Sequence, residues 1–290
     1  MSKEAFITKN LTADRLALLE RINAIIVSYQ RQGYRLTLRQ LYYQLVTKNI
    51  VPNTERSYKN VGALVSDGRL IGRIDWEAIE DRVRVPRVPL EFQSVTHLVE
   101  SSLRWFRLPR WEGQDNYVEL WVEKDALAGV LQPLAEEFHI TLMVNRGYSS
   151  QSAMYESAQR FIEHGDSNCH LLYLGDHDPS GEDMVRDVRD RLELFGATVD
   201  VEKIGLTMDQ VEEHEPPPNP AKMSDSRAAN YVAQHGDSSW EVDALPPNVL
   251  AELIREKVGN LVDMEKVDEV KEREEVAKEK LKNAAKRIKI

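Results

Sequence analysis

The sequence predicts a two-part α/β protein, with a basic, helix-rich N-terminal part followed by a part built on a mostly parallel sheet. Three observations carry this. Apolar residues recur at helical spacing through the first third of the chain. From residue 117 onward, short apolar, β-rich runs alternate with helical stretches, as in a parallel sheet covered by helices on both faces. Charge is also split along the chain. Residues 1–110 hold 18 Lys and Arg against 11 Asp and Glu, a net of +7, whereas residues 111–290 hold 20 against 37, a net of −17. The total of −10 argues against a nucleic-acid partner, but a basic half restores DNA as a candidate. A random split of solvated charges is the plainer account of the charge alone.

The elements follow in order. Leu16, Leu19, Ile22, Ile25 and Ile26 place a helix over 13–32, ended by Gly33. Thr37 is the expected N-cap of a second helix over 37–49, and residues 54–67 form a third. LIGRIDWEAI, 70–79, reads as a short ribbon with a Gly-Arg turn, so that three helices and a ribbon fit a winged helix-turn-helix domain over 1–110. A further helical stretch covers about 90–106, and 107–116 reads as the interdomain linker. The second domain, 111–263, has strands expected in 117–122, 140–145, 169–175 and 197–206, with helices over 125–138, 152–164 and 180–195. EPPPNP, 215–220, is a rigid loop, and Pro246 and Pro247 open a helix. Residues 264–290 read as a charged, solvated helix laced with i,i+4 ion pairs.

No apolar run approaches the ~20 residues that span a bilayer. The N-terminal MSKEAFITKN lacks the apolar stretch of a secretory signal, so no membrane association and a cytoplasmic location are expected. One cysteine, Cys169, excludes an intrachain disulfide framework and a Cys-based zinc cluster. It begins a buried strand and reads as core.

The segment LYLGDHDPSG, 172–181, is an apolar strand that ends in two aspartates before a charged helix. Asp176 and Asp178, two residues apart, leave an extended backbone on the same side. His177 points away from them and is not counted as a ligand. Paired carboxylates repel unless a cation or proton sits between them, and such oxygen pairs suit Mg²⁺, with Mn²⁺ as the alternative. Glu123 and Lys124 end the first strand of this domain. Ligands of open α/β sheets bind beyond the carboxyl ends of strands, and neighbouring strands lie ~4.8 Å apart. Glu123, Asp176 and Asp178 can therefore converge on metal, with Ser180 capping the next helix. Each motif taken singly is better explained by a turn or a strand end; together they favour a metal site.

Here the chain resembles the Toprim domain, which carries one glutamate after its first strand and a DxD after its third and binds Mg²⁺. VEKDAL and GDHDPSGEDM look most like the A subunit of topoisomerase VI and the related meiotic break-forming transesterase. NRGYSSQSAM is similar to that group's segment after the second strand. The resemblance covers roughly residues 117–210 and implies a Rossmann-like, mostly parallel sheet.

A second signature is LRQLYYQLV, 38–46. Leu38, Leu41, Tyr42 and Leu45 share a helix face, whereas Arg39 and Tyr43 are i,i+4 neighbours on another. Tyr42 is thus expected in the core, and Tyr43 can present its hydroxyl to solvent or DNA. A phenol with a pKa near 10 is a poor nucleophile at pH 7, and Arg39 could supply part of an activating field or clamp a phosphate. From this segment alone the simpler account is an aromatic helix with Tyr43 half-buried and hydrogen-bonded. The topoisomerase VI A subunit has an Arg-x-x-Tyr-Tyr pattern in a winged-helix domain placed before its Toprim domain. The resemblance therefore implies Tyr43 as nucleophile and Arg39 beside it. It also implies a homodimer in which the tyrosine of one subunit works with the metal site of the other, leaving a 5′-phosphotyrosyl link. That subunit takes an ATPase partner, and nothing in these 290 residues resembles one, so a separate subunit would supply it.

Arg56, Lys59, Arg69 and Arg73, around the third helix and the ribbon, are candidate DNA-phosphate contacts, as is Lys124; a solvated helix face explains the first four equally well. Glu241 and Asp243 are weaker candidates for outer carboxylates, since such residues are more often turns and caps. Three functions remain open. One is Mg²⁺-dependent DNA cleavage by transesterification through Tyr43, with Glu123 helping to protonate the leaving oxygen. The second is a Toprim nuclease using water, and the third a non-catalytic DNA-binding protein.

Overall fold

Thr12 accepts a hydrogen bond from the Arg15 N–H and starts α1, Ala13–Arg31, with Asp14 in its first turn where the helix dipole favours a negative charge. The computed structural model describes residues 3–80, 89–145 and 147–285. Helix α1 buries Leu19, Ile22, Ile25, Ile26 and Tyr29 and leaves Leu16 exposed. After Gly33, whose φ of +84° suits the residue past a helix end, β1 (Leu36–Thr37) leads into α2 (Leu38–Thr47). Thr37 caps α2 as expected, and Gln40 returns a hydrogen bond to the Thr37 N–H, completing a capping box. Helix α3, Glu55–Leu70, is capped by Thr54.

The ribbon expected over 70–79 does not form a hairpin. Leu70 ends α3, Ile71 bridges Ala5, and β2 (Ile79–Glu80) pairs in parallel with β1. Gly72, at φ +71°, makes the turn. Ile74 is fully buried beneath it, so the apolar residues that read as a ribbon are spent on the core of α1–α3. Any continuation of a wing into 81–88 lies outside the described residues.

Helix α4 is Val95–Trp105, and the main sheet follows. Its strands are β3 (Asn116–Val122), β4 (Thr141–Val144), β5 (Asn168–Leu174) and β6 (Asp200–Gly205). They lie in the order β4-β3-β5-β6, and all three pairings are parallel. A short 3₁₀ turn, Asp125–Leu127, leads from β3 into α5, Ala128–Phe138. Helices α6 (Gln151–Glu163) and α7 (Pro179–Leu194) make the next two crossovers. Burial alternates along β3: Val118, Leu120 and Val122 face a core shared with Leu131 of α5, whereas Trp121 faces one shared with Phe161 of α6 and Met184 of α7. Two-sided burial of this kind is what a parallel sheet requires. With α5 on one face and α6 and α7 on the other, the chain direction reverses between β3 and β5, and their carboxyl ends form the crevice where doubly wound sheets bind ligands.

Beyond β6 come α8 (Met208–His214), the two-residue ladder of β7 (Asn219–Pro220) with β8 (Ser238–Ser239), α9 (Ala228–His235), α10 (Pro247–Gly259) and α11 (Met264–Ala285). Eleven α-helices thus accompany the sheet among the described residues, and no helix there is long and apolar enough to cross a membrane.

Helix α11 departs from the expected solvated helix. It buries Val267, Val270 and Glu274. The Glu274 side chain, 2% exposed, pairs with Arg110 at 2.7 Å, accepts the Leu108 N–H at 2.9 Å and meets Lys278 at 2.7 Å. Gln114 is likewise tied to both the N–H and the carbonyl of Asp263. The segment 107–116, read as the interdomain linker, is fastened by the C-terminal helix and the residue before it. Burial pushes the Glu274 carboxyl up, but Lys278, the Leu108 N–H and Arg110 overcome it and hold the group at about 2. With a folded value below the unfolded one, this stabilisation is complete above the ordinary carboxylate range and is lost as pH falls towards 2. Replacing Glu274 by Ala should cost about 3 kcal/mol, because buried Arg110 loses its partner; an unchanged urea midpoint would contradict this.

Candidate functional site at the carboxyl ends of β3 and β5

Val122 and Leu174 are partners in the sheet, so the residues that follow them emerge side by side. Glu123 is the first residue past β3, and its Oε2 accepts the Asp176 N–H at 3.0 Å. Gly175 permits this approach, since a Cβ there would stand 2.6 Å from the Tyr173 ring and 3.2 Å from Glu123 Oε2. The structure brings Glu123 and Asp176 together as the sequence suggested.

Asp178 turns to the next helix. It is the N-cap of α7, and its Oδ1 accepts from the Ser180 and Gly181 N–H groups at 3.0 and 2.6 Å and from Ser180 Oγ at 2.9 Å. The cap is thus the aspartate and not Ser180, which lies in the first turn and leans on it. A side chain at Gly181 would run into the Asp176 carbonyl.

Lys124 corrects its expected role as a DNA contact. Its Nζ lies 2.9 Å from each of Asp176 Oδ1, Glu241 Oε2 and Asp243 Oδ1. Burial acts to lower its pKa, but Asp243, Asp176 and Glu241 more than reverse this, so the ammonium stays charged. Glu241 and Asp243 arrive on the connector between β8 and α10, Glu241 just before and Asp243 within a 3₁₀ turn over Val242–Ala244. Asp243 is fully buried, and the Val242 N–H donates to Asp176 Oδ1 at 2.9 Å. Both weaker candidates thus contact the same ammonium as Asp176.

Helix α2 completes the cluster. Arg39 pairs with Glu241 and lies 3.2 Å from Asp243 Oδ2 through its Nε. The Tyr43 hydroxyl donates to Glu241 Oε2 at 2.7 Å and stands 3.4 Å from the Arg39 guanidinium. One carboxylate oxygen therefore receives Tyr43, Arg39 and Lys124 together. Burial opposes the charge on Glu241, but Lys124 and Arg39 prevail and hold it at about 2.

Tyr43 is not presented to solvent; only 5% of it is exposed. Burial, and then the Glu241 charge, push its phenol above the ordinary value, with Arg39 opposing. In this arrangement the arginine's field is outweighed and the phenol is not activated. A cavity of about 240 Å³, lined by Arg39, Tyr43, Asn53, Tyr58 and Glu241 among others, opens onto the pair. Tyr42 is buried as expected, and its hydroxyl is spent on the Thr54 backbone, accepting its N–H at 2.8 Å.

Of the other basic candidates, Arg56, Lys59 and Arg73 lie on the surface, with Lys59 paired to Glu55 at 2.6 Å. Arg69 does not project outward. It donates to the carbonyls of Trp76 and Ile79 and lies 5.6 Å from the Trp76 ring centre, holding the turn after α3. His177 points away from the aspartates' site as expected. It is buried, with Nδ1 2.7 Å from the Tyr231 hydroxyl, and its backbone bridges Trp240. Cys169 is buried as core. Two charged groups carried no sequence signal. Lys203 donates to the Asp176 carbonyl at 2.8 Å, and fully buried Glu119 is neutralised by Arg160.

Five carboxylates (Glu123, Asp176, Asp178, Glu241 and Asp243) lie near three cations, Arg39, Lys124 and Lys203. Burial raises the Asp176 carboxyl to about 7, with Lys124 opposing and Glu123 adding to the rise. All the donors are oxygens, the type Mg²⁺ prefers. Among the described residues no three acidic, His or Cys side chains are already gathered as a ligand cluster; Asp178 faces helix amides and Lys124 holds Asp176. Comparison with models of protein families and with curated proteins finds no match for this chain.

Proposed function

We propose that this chain is a metal-dependent DNA-cleaving enzyme of the Toprim kind, similar to the A subunit of topoisomerase VI, with Tyr43 as its nucleophile. The observation that carries the reading is the shared Glu241 oxygen: it takes the Tyr43 hydroxyl at 2.7 Å and the Lys124 ammonium at 2.9 Å, while Lys124 also holds Asp176. A tyrosine on a basic domain's helix is thereby joined to carboxylates at a sheet's ligand crevice. Glu123, Asp176 and Asp178 would hold Mg²⁺, which when bound stabilises charge developing on a phosphodiester. Arg39 binds and orients the phosphate beside Tyr43, and Arg56, Lys59 and Arg73 engage the flanking backbone.

The buried phenol, raised above its ordinary value, favours a second reading in which water attacks and Tyr43 only positions DNA. One experiment separates the two. End-labelled duplex is incubated with the protein in Mg²⁺ or Mn²⁺ and denatured. A covalent protein–DNA adduct that vanishes in Tyr43→Phe is expected. Metal-dependent cleavage that persists in Tyr43→Phe establishes the water reading, and DNA binding without cleavage in either metal leaves a binding protein.

A further inference from the structure

We infer that a cavity beside α2 and α3 receives a nucleobase turned out of the DNA, next to the phosphate that reaches Tyr43. This rests on the DNA-binding part of the reading above, and on neither the metal nor the attack. The cavity measures about 490 Å³, and its lining includes Leu38, Arg39, Tyr58, Val65, Trp76 and Asp125. It is distinct from the smaller cavity of about 240 Å³ at Tyr43, but Arg39 and Tyr58 line both.

A nucleotide has the same division: a flat base and its sugar, joined by a short link to a phosphate. The smaller cavity presents the Arg39 guanidinium, which suits phosphate. The larger one combines apolar side chains with a few polar groups, the make-up of a site for a flat organic group. Tyr58 and Trp76 offer aromatic surface on which any base stacks, and Asp125 offers a carboxylate that accepts from base N–H groups.

Both rings are set before a ligand arrives. Trp76 is 37% exposed. Its ring meets Phe6 edge-on with centroids 5.6 Å apart, and Arg69, which also lines the cavity, lies 5.6 Å from its ring centre while donating to its carbonyl. Tyr58 meets Tyr42 edge-on at 5.3 Å, and Tyr42 is itself held through the Thr54 N–H. Rings held in this way lose little freedom when a base stacks on them. Turning a base out of a duplex costs its stacking and pairing, and costs least where the base is already unpaired. The cavity therefore makes the protein prefer DNA that carries an unpaired base.

Binding titrations test this. Full-length wild type and Trp76→Leu are titrated, in EDTA where no metal-dependent cleavage competes and again in Mg²⁺, against a fully paired duplex, a duplex with a single bulged adenine, and one with an abasic nucleotide in the bulge. The abasic bulge keeps the flexible backbone but has no base to stack. Wild type is expected to bind the adenine bulge about 10-fold more tightly than the abasic one, the factor that one stacked base supplies. A 2-aminopurine in the bulge should lose fluorescence on binding. Trp76→Leu is expected to keep its affinity for the paired duplex and to lose the preference between bulges, whereas Trp76→Phe retains most of it. Should Trp76→Leu not fold, Tyr58→Leu reads the same preference at the second ring. Equal wild-type affinity for the two bulges, or a preference that survives loss of either ring, overturns the inference and leaves the DNA reading standing. Wild type that binds none of the three duplexes in either condition overturns that reading, and the inference with it.

Discussion

Lys124→Met should lower the melting temperature of the metal-free protein sharply, by the equivalent of about 3 to 5 kcal/mol. Lys124 is the cation common to Asp176, Glu241 and Asp243, and its side chain is only 17% exposed. Methionine retains most of the length and apolar stem but leaves Asp176 with no side-chain cation, and Glu241 and Asp243 with Arg39 alone. Water reaches this pocket poorly, so the unpaired charge is not screened as it would be on the surface. A divalent cation should compensate: Mg²⁺ is expected to raise the variant's melting temperature more than that of wild type, because the variant's carboxylates lack their resident ammonium. Thermal unfolding followed by circular dichroism, with and without Mg²⁺, measures both effects. A variant that melts with wild type would show that the three carboxylates do not depend on Lys124.

Glu241→Gln should cut covalent adduct formation by about 100-fold, within the range general-base groups contribute, while DNA binding is kept. Glu241 Oε2 receives the Tyr43 proton at 2.7 Å. Its low folded pKa makes it a weak base towards a resting phenol. That mismatch narrows during attack, because the phenolic proton grows more acidic as its oxygen bonds to phosphorus. Glutamine preserves the shape and can still accept a hydrogen bond, but it cannot take the proton. Removing one negative charge beside the basic half should also leave affinity for duplex equal or higher. Single-turnover adduct yields and a parallel binding titration give the two readouts. A yield that rises in Glu241→Gln would mean that the carboxylate restrains the tyrosine.

The strands, most helices and the pair Glu123–Asp176 were legible in the sequence because each depends on local periodicity or on a strand's end. The register of Val122 with Leu174 then does the rest. Lys124 was misread because its partners Glu241 and Asp243 lie more than a hundred residues away, on a connector of two-residue strands and short helices with no period to betray it. The sequence leaves Tyr43 open between solvent or DNA and the simpler half-buried, hydrogen-bonded account, because the helix pattern records only which face meets its neighbours in sequence; the connector that covers it is a tertiary contact. Glu274 gave the opposite error: a carboxylate among lysines reads as solvated, and only the fold reveals buried Arg110 opposite it. The ribbon failed for a related reason. Alternation around Gly72 is compatible with a hairpin, but burial of Ile74 and pairing of Ile79 with Leu36 take those residues elsewhere.

His177, lying between the two aspartates, forms a backbone bridge to Trp240, the residue just before Glu241. This short splice makes the aspartate loop and the tyrosine's restraint parts of one mechanical unit. On the proposed reading, a displacement of either aspartate on taking up a cation would be handed through two backbone hydrogen bonds to the carboxylate gripping Tyr43. Thermodynamic reciprocity then sets a quantitative condition: whatever factor Mg²⁺ contributes to DNA affinity, DNA must return to Mg²⁺ affinity.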